Sequence, residues 1–434
     1  MAGIFGIYSK KNKDCVNELF LGTFYLQHRA QQYCGMAVYR SGRFYDSTHK
    51  GKIRDIFESG NMKNLTGSFG IATVNTSRQP VSIYSKNTGF LMAFDGNLAN
   101  LASLKKTLLT NGNTFAGYTN PKYVPDEEII TKIIASEGNI PDGIEKLTKL
   151  MKGDYAILIL AKNGIYAARG WGRKPFILGV NDDYYAVSSE SCSFLNLNID
   201  IVRDVKPGEI VLINNKGITG VKQLKLAPVK YGTFEWIYTA SPASIIDGVS
   251  VEQARNNMGM LLAKRYPIKA DIVGEVPNSG MGHAIGYAIG SKLPHKRVFI
   301  RYDYADRSYT QKNKKERRKE ADLKLLPISA NVKGKKVIIA DDSIVRGTQF
   351  KENLVKKLKK AGAKEIHAII ACPPLMDKCN YGKTTKKMKD CIARRMPIKK
   401  IHKYLGLDSV NYATREDLSK AIGKPLNELC LECW

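Results

Sequence analysis

The run VIIADDSIVRGTQ, Val337 to Gln349, decides the reading of the chain. Val337 to Ala340 are apolar, the signature of a buried strand, and they lead straight into two carboxylates, Asp341 and Asp342. Ser343, Ile344, Val345, Arg346, Gly347 and Thr348 then make a turn that enters a helix read over Thr348 to Ala361. Three devices meet here. The carboxylates can accept hydrogen bonds from paired ribose hydroxyls or face a hydrated magnesium ion. The turn's N–H groups, with the Ser343 and Thr348 hydroxyls, can enclose a phosphate at the positive end of the helix. A ligand with ribose at one end and phosphate at the other fits both. A glycine turn with acidic caps would account for any two of these features, but not for the whole run.

Working outward, the rhythm after Lys230 is strand then helix. Strands are read at Asp271 to Val276, Val298 to Ile300, Val337 to Ala340 and Glu365 to Ala371, the alternation of a parallel α/β sheet. Between them Gln311 to Lys324 is almost wholly polar, a solvated helix or loop on composition and a cover over an anionic substrate on function. Before Lys230 the chain reads as short β runs bounded by Gly, Asn or Asp: Gly3 to Ser9, Met36 to Tyr39, Gly70 to Val74, Gly89 to Phe94, Tyr155 to Ala161, Gly164 to Ala168, Tyr184 to Ser188 and Ile210 to Ile213. Helical spacing over Asp126 to Glu137 and over Asp142 to Met151, with Asp142 as N-cap, predicts helices covering these sheets. Two domains follow, residues 1–230 and 231–434.

Composition bounds the rest. In 434 residues, 43% hydrophobic and 25% charged, there is material for two ordinary cores and no signature of disorder. No apolar run approaches the roughly 18 residues that span a bilayer, so no membrane partner and a cytoplasmic location are expected. The net charge of +28 is uneven, with 29 basic and 19 acidic residues in 1–230 against 39 and 21 in 231–434. No zinc-finger spacing or aromatic-interleaved RNA signature accompanies it, so nucleic acid is not the expected ligand, and part of the excess suits a polyanionic small substrate. The eight cysteines are scattered and argue against a disulfide framework; Cys430 and Cys433, as C-x-x-C, alone look like a ligand pair.

The run at 337–349 closely resembles the 5-phosphoribosyl-1-diphosphate (PRPP) motif of type I phosphoribosyltransferases, and in particular that of the glutamine PRPP amidotransferase (amidophosphoribosyltransferase) family. FEWIYTASPASIIDGVSVEQARNNMG (234–259), VGEVPNSGMGHAIGYA (273–288), RYDYADRSYTQ (301–311) and the C-terminal LGLDSVNYATREDLSKAIGKPLNELCLEC extend the likeness over nearly all of 230–434. The resemblance implies PRPP contacts at Pro277, Asn278, Ser279 and Gly280 in a diphosphate loop, at Arg301, Arg307 and Lys324 in a closing loop, and at Asp341 to Gln349. Magnesium is implied at Ser279, Asp341 and Asp342. Asn278 stands where the family usually carries an acid.

The first half is similar to the family's N-terminal-nucleophile glutaminase through GIFGIYS, LQHRAQQYCGMAVY, AFDGNLANLASLKKTLLTNG, LMKGDYAILIL and AVSSESCSF, in order. The fold implied is an α+β αββα sandwich followed by an α/β phosphoribosyltransferase domain. The family's nucleophile is an N-terminal Cys; here Ala2 precedes Gly3-Ile4-Phe5. Aligning GSFGIAT with the family's GHxRYAT sets Gly70 at the Arg that grips the glutamine carboxylate, and Phe94-Asp95-Gly96 replaces HNG, whose Asn donates to the oxyanion. The glutaminase is therefore expected to be inactive, with Asp126 in the place of the acid that holds the substrate amine. Cys15, Cys34 and Cys192 read as core thiols rather than substitute nucleophiles.

Many family members hold an iron–sulfur cluster on four cysteines. Cys379, Cys430 and Cys433 match three, while Gly232 takes the first place. Two readings stay open: an iron–sulfur cluster or zinc completed by Cys391, Cys372, an Asp or water, or unligated thiols. The activity implied is phosphoribosyl transfer from PRPP to ammonia giving 5-phosphoribosylamine, the first step of purine synthesis, with ammonia from solution or a separate glutaminase subunit. Purine nucleotides are implied as inhibitors, and a homo-oligomer as the assembly. The alternative is a non-catalytic paralogue that senses PRPP or nucleotides or serves as a scaffold.

Overall fold

The computed structural model describes residues 1–434 apart from 58–61, 63, 86–88, 116–123, 303–324, 383–384 and 386. Arg307, Lys324 and the polar run 311–324 lie outside the described residues. The chain forms two compact units, one of Met1–Gly232 with Ala243–Gly248 and Asn380–Thr384, the other of Thr233–Pro242, Val249–Cys379 and Thr385–Trp434. No helix among the described residues is long and apolar enough to cross a membrane.

The first unit is a four-layer sandwich. One antiparallel sheet runs Asp200–Asp204, Ile177–Val180, Tyr184–Ser188, Gly3–Ser9, Phe69–Asn75, Tyr33–Arg40, Arg43–Lys50; the other runs Gly217–Gln223, Glu209–Asn214, Gly164–Arg169, Gly153–Ala161, Gly89–Leu98, Val81–Tyr84. The period of two along each strand makes the layers. On Gly3–Ser9, Ile4 enters the core between the sheets with Ile71, Leu91, Leu158 and Val187. Phe5 and Ile7 point the other way, to the helix Val16–Phe24 through Leu19 and Phe20. The second sheet turns Met92, Phe94, Ile157 and Ile159 out to helices Asp126–Ala135 and Ile140–Leu150 through Ile130, Ile133, Ile144 and Leu147. The second of those helices starts two residues before the expected position. Its N-cap is Asn139, whose side chain accepts from the Asp142 N–H at 2.9 Å, so Asp142 is a capped residue and not the cap.

The second unit is built on a parallel sheet in the order Ile272–Glu275, Lys336–Asp341, Glu365–Ile370, Ser409–Tyr412. Its central strand is buried from Val337 to Asp341, as both faces are covered in an all-parallel sheet. Helix Met281–Ser291 packs on it and helix Val251–Arg265 packs on that helix; Gly259 and Gly286 allow the close approach, since a Cβ on Gly286 would lie 2.0 Å from the Asn256 carbonyl. The strand expected at 298–300 stands outside this sheet. Phe299–Arg301 pairs antiparallel with Leu325–Pro327 in a separate two-stranded ladder, since the parallel edge beside Ile272–Glu275 is taken by residues 294–296.

Candidate functional site

In the second unit the parallel register sets Glu275 beside Ala340, so the loops that follow the two strands emerge side by side. That is the carboxyl end of the sheet, where open α/β sheets bind ligands. The first loop, Val276 to Gly280, is short because Gly280 tucks under the neighbouring strand: its N–H donates to the Val276 carbonyl at 2.9 Å, and a Cβ on it would meet the Ala340 carbonyl at 2.0 Å. Helix Met281–Ser291 then begins, with Ala284 N–H donating to Gly280 at 2.8 Å. From this loop Ser279 Oγ donates to Asp341 Oδ1 at 2.7 Å.

Asp341 and Asp342 are both 7% exposed. The Asp342 N–H donates to Asp341 Oδ1 at 2.9 Å, and Ser343 Oγ to Asp342 Oδ2 at 2.7 Å. Burial, followed by the charge of Asp342, pushes the Asp341 carboxyl well above the usual carboxylate range, and burial raises Asp342 too. Two adjacent buried carboxylates with so few donors are poised for a cation. The turn beyond them is held from one side: Ile392 N–H donates to the Val345 carbonyl at 2.7 Å, and Arg346 pairs with Asp390 at 2.7 Å. Gly347 has φ +75°, and a Cβ there would come within 2.8 Å of Leu405 and 2.9 Å of Ile392, so both conformation and space require glycine. The structure thus brings Ser279, Asp341 and Asp342 together beside the turn 343–349. Pro277 and Asn278 lie on the adjoining loop, and exposed Arg301 on its separate strand.

In the first unit the site is a small pocket lined by Met1, Ala2, Asn75, Thr76, Phe94, Asp95, Gly96 and Glu127. Neither Gly70 nor Asp126 is among these lining residues. Gly70 is not at this site: strand pairing places it opposite Ile7, and by alternation it faces the helix layer, where a Cβ would meet Leu19 at 3.0 Å and the Ala37 carbonyl at 2.5 Å. Pairing of Gly3 with Val74 instead brings Asn75 to Ala2. The lining acid is Glu127, not Asp126; its Oε1 accepts from Ser77 Oγ at 2.5 Å and Gln79 Nε2 at 2.7 Å. Asn75 itself donates to the Phe94 carbonyl at 3.2 Å.

Asp95 is 2% exposed and is the hub of a buried charge network. Its Oδ1 accepts from the Ala2 N–H at 2.9 Å and lies 3.4 Å from Lys174 Nζ; its Oδ2 accepts from Arg29 at 3.2 Å. Arg29 also donates to the Ala2 carbonyl at 2.7 Å and to Glu190 at 2.5 Å. Burial opposes ionisation of Asp95, but Lys174 and Arg29 outweigh it and hold the carboxyl well below its ordinary range. Glu190 behaves alike: burial raises it, His28 and Arg29 more than compensate, and it sits at about 2. A depressed acid contributes stability that is present above its unfolded value near 4.5 and lost as pH falls toward 2. Urea midpoints between pH 6 and 2 are therefore expected to fall less steeply for Glu190→Gln than for the parent; parallel curves would contradict this.

The cysteines of the first unit are core groups. Cys15, Cys34 and Cys192 are buried, and burial pushes Cys34 up to about 12. Among the described residues no three His, Cys, Asp or Glu side chains are placed to hold a metal ion. Cys379, Cys430 and Cys433 are partly exposed, and burial followed by the neighbouring Cys379 and Cys430 raises the Cys433 thiol to about 12, which favours the protonated form. Gly232 is closed to any side chain, since a Cβ there would lie 2.2 Å from the Arg173 carbonyl.

A family profile described as a glutamine amidotransferase domain matches residues 66–196. An amidophosphoribosyltransferase of Methanocaldococcus jannaschii is 33% identical over all of this chain and 96% of its own length. One from Bacillus subtilis is 31% identical over all of this chain and 92% of its own. Among solved structures, the glutamine PRPP amidotransferase of B. subtilis complexed with ADP and GMP superposes with a TM-score of 0.91 at 30% identity, over 99% of this chain and 96% of that one. A structure described as the allosteric regulatory enzyme of purine biosynthesis gives 0.90 at 30%.

Proposed function

The chain belongs to the amidophosphoribosyltransferase family, and from that membership we propose that it transfers the phosphoribosyl group of PRPP to ammonia, giving 5-phosphoribosylamine, without glutaminase activity of its own. The observation that carries the reading is the meeting of Ser279, Asp341 and Asp342 with the glycine turn 343–349 at the carboxyl ends of two adjacent parallel strands. The buried carboxylates accept the ribose hydroxyls, and the N–H groups of 343–347 enclose the 5-phosphate. The N-terminus of helix Met281–Ser291, behind Ser279 and Gly280, faces the diphosphate with positive potential.

The carboxylates of Asp341 and Asp342, both raised by burial and Asp341 also by the charge of Asp342, fit a magnesium ion, whose remaining positions the substrate's own oxygens can fill. Bound there, magnesium would offset charge on the leaving diphosphate. Gly232 supplies no thiol, so a metal held by Cys379, Cys430 and Cys433 would need a further ligand.

Loss of the glutaminase rests on the first unit's pocket. The methyl of Ala2 is no nucleophile. Asp95 sets a carboxylate, held ionised, where the family's oxyanion donor stands. Asn75, which takes the place near Ala2 that Gly70 does not, carries no charge to grip a carboxylate. Diphosphate release from PRPP and magnesium is expected to rise with ammonium and with pH and to be unaffected by glutamine. Ala2→Cys, even with Met1 removed, is expected to leave glutamine unused. Glutamine-dependent product from that variant would restore the glutaminase. PRPP binding by calorimetry without any diphosphate release would replace the transferase reading with that of a sensor.

A further inference from the structure

Glu275 is fully buried at the end of strand Ile272–Glu275, one residue before the loop Val276–Gly280. Buried carboxylates are ordinarily paired and hydrogen-bonded at both oxygens. Here Oε2 lies 2.9 Å from His295 Nε2, while Oε1 has no hydrogen-bond partner among the described residues. His295 keeps 31% of its side chain exposed and belongs to the segment that covers the sheet's outer edge. Val273 N–H donates to the Pro294 carbonyl at 3.0 Å, and Lys296 N–H to Val273 at 2.9 Å. Gly274 permits this closeness, since a Cβ on it would lie 2.6 Å from Val298.

The same two segments lead to both arms of the PRPP site. Beyond Glu275, Val276 N–H donates to the Ala340 carbonyl at 3.0 Å and Gly280 N–H returns to Val276, which fixes the diphosphate loop. Beyond His295 the chain enters strand Phe299–Arg301, which carries Arg301. One side-chain contact therefore ties the root of the diphosphate loop to the stem that presents Arg301.

We propose that Glu275 and His295 form a positioning pair that sets the loop Val276–Gly280 for the diphosphate of PRPP. The inference rests on the reading of this unit as a PRPP transferase. The loop's hold on diphosphate is made in the ground state and kept through the reaction, so loosening it weakens substrate binding without slowing chemistry. Removing the imidazole leaves the buried carboxylate without any partner, and the strand end must shift or take up a proton.

The test measures ammonium-dependent diphosphate release and calorimetric PRPP affinity on the full chain. His295→Ala is expected to raise the PRPP KM and Kd about tenfold with kcat within about twofold, and His295→Gln, which retains an N–H donor, to stay within about threefold of the parent. An unchanged KM in His295→Ala overturns the proposal. So does a fall in kcat that tracks the melting temperature equally in both variants, the mark of a merely structural contact. A parent protein that binds PRPP without turnover refutes the transferase reading alone, and the Kd comparison still decides the pair. A parent that neither releases diphosphate nor binds PRPP refutes both.

Discussion

Asp341→Asn is expected to lower PRPP turnover about a thousandfold while leaving the protein at least as stable as the parent. The two effects have one cause. Asp341 and Asp342 are adjacent and buried, and burial followed by the charge of Asp342 disfavours ionisation of Asp341. In the free protein that repulsion is a burden, so a neutral amide relieves it. Asn can still accept the Ser279 hydroxyl at the place of Oδ1, and the Asp342 N–H with it. What it cannot do is present the second negative charge that a magnesium–diphosphate complex requires; loss of a single preorganised electrostatic contact commonly removes about a hundredfold to a thousandfold of rate. The sign of the pH dependence follows. An acid whose folded value is raised contributes stability that is full below its unfolded value and lost as pH rises through the folded one. Melting temperatures of the parent should therefore decline from acid toward neutral pH in a component that Asp341→Asn lacks. A variant that is both unstable and inactive would show that Asp341 is a structural residue.

What the sequence disclosed depended on burial. The central strand at 337–341 was legible because both of its faces are covered, which makes it an unbroken apolar run. The strands Val81–Tyr84 and Asp200–Asp204 escaped notice since they are edge strands with exposed, mixed residues. Helix Val251–Arg265 has Ala254, Met258 and Leu262 buried amid Arg, Asn and Lys, so its stripe is thin and its buried Arg255, which donates to the Trp236 and Ala240 carbonyls, reads as surface. The phosphate turn was legible at residue level because its chemistry is local. The first unit's pocket was not, since its members come from strands whose register no local pattern gives. The pocket is lined by Asn75 and Glu127, which no local motif singles out. Asp95 was found, but its partners Arg29 and Lys174 lie 66 and 79 residues away and carry no shared motif.

Those partners make the last expectation a sharp one: returning Asp95 to the family's own Asn should destabilise this protein. In an amidotransferase with an active glutaminase, an amide at this place donates to an oxyanion. Here the carboxylate answers two buried cations, Arg29 at 4% exposure and Lys174 at 5%, and receives the Ala2 N–H. The substituted amide could keep the last of these through its carbonyl oxygen, but it would remove the negative charge shared by Arg29 and Lys174. Glu190 still pairs with Arg29, so the loss falls chiefly on Lys174. Breaking a buried pair from one side typically costs about 3 to 5 kcal/mol, and in a unit of this size that lowers the melting temperature by roughly 10 °C. The double variant Asp95→Asn, Lys174→Met should recover much of the loss, since no ammonium then remains to be compensated. Scanning calorimetry of the three proteins decides the matter. If Asp95→Asn melts with the parent, the buried network around Asp95 does not stabilise the fold.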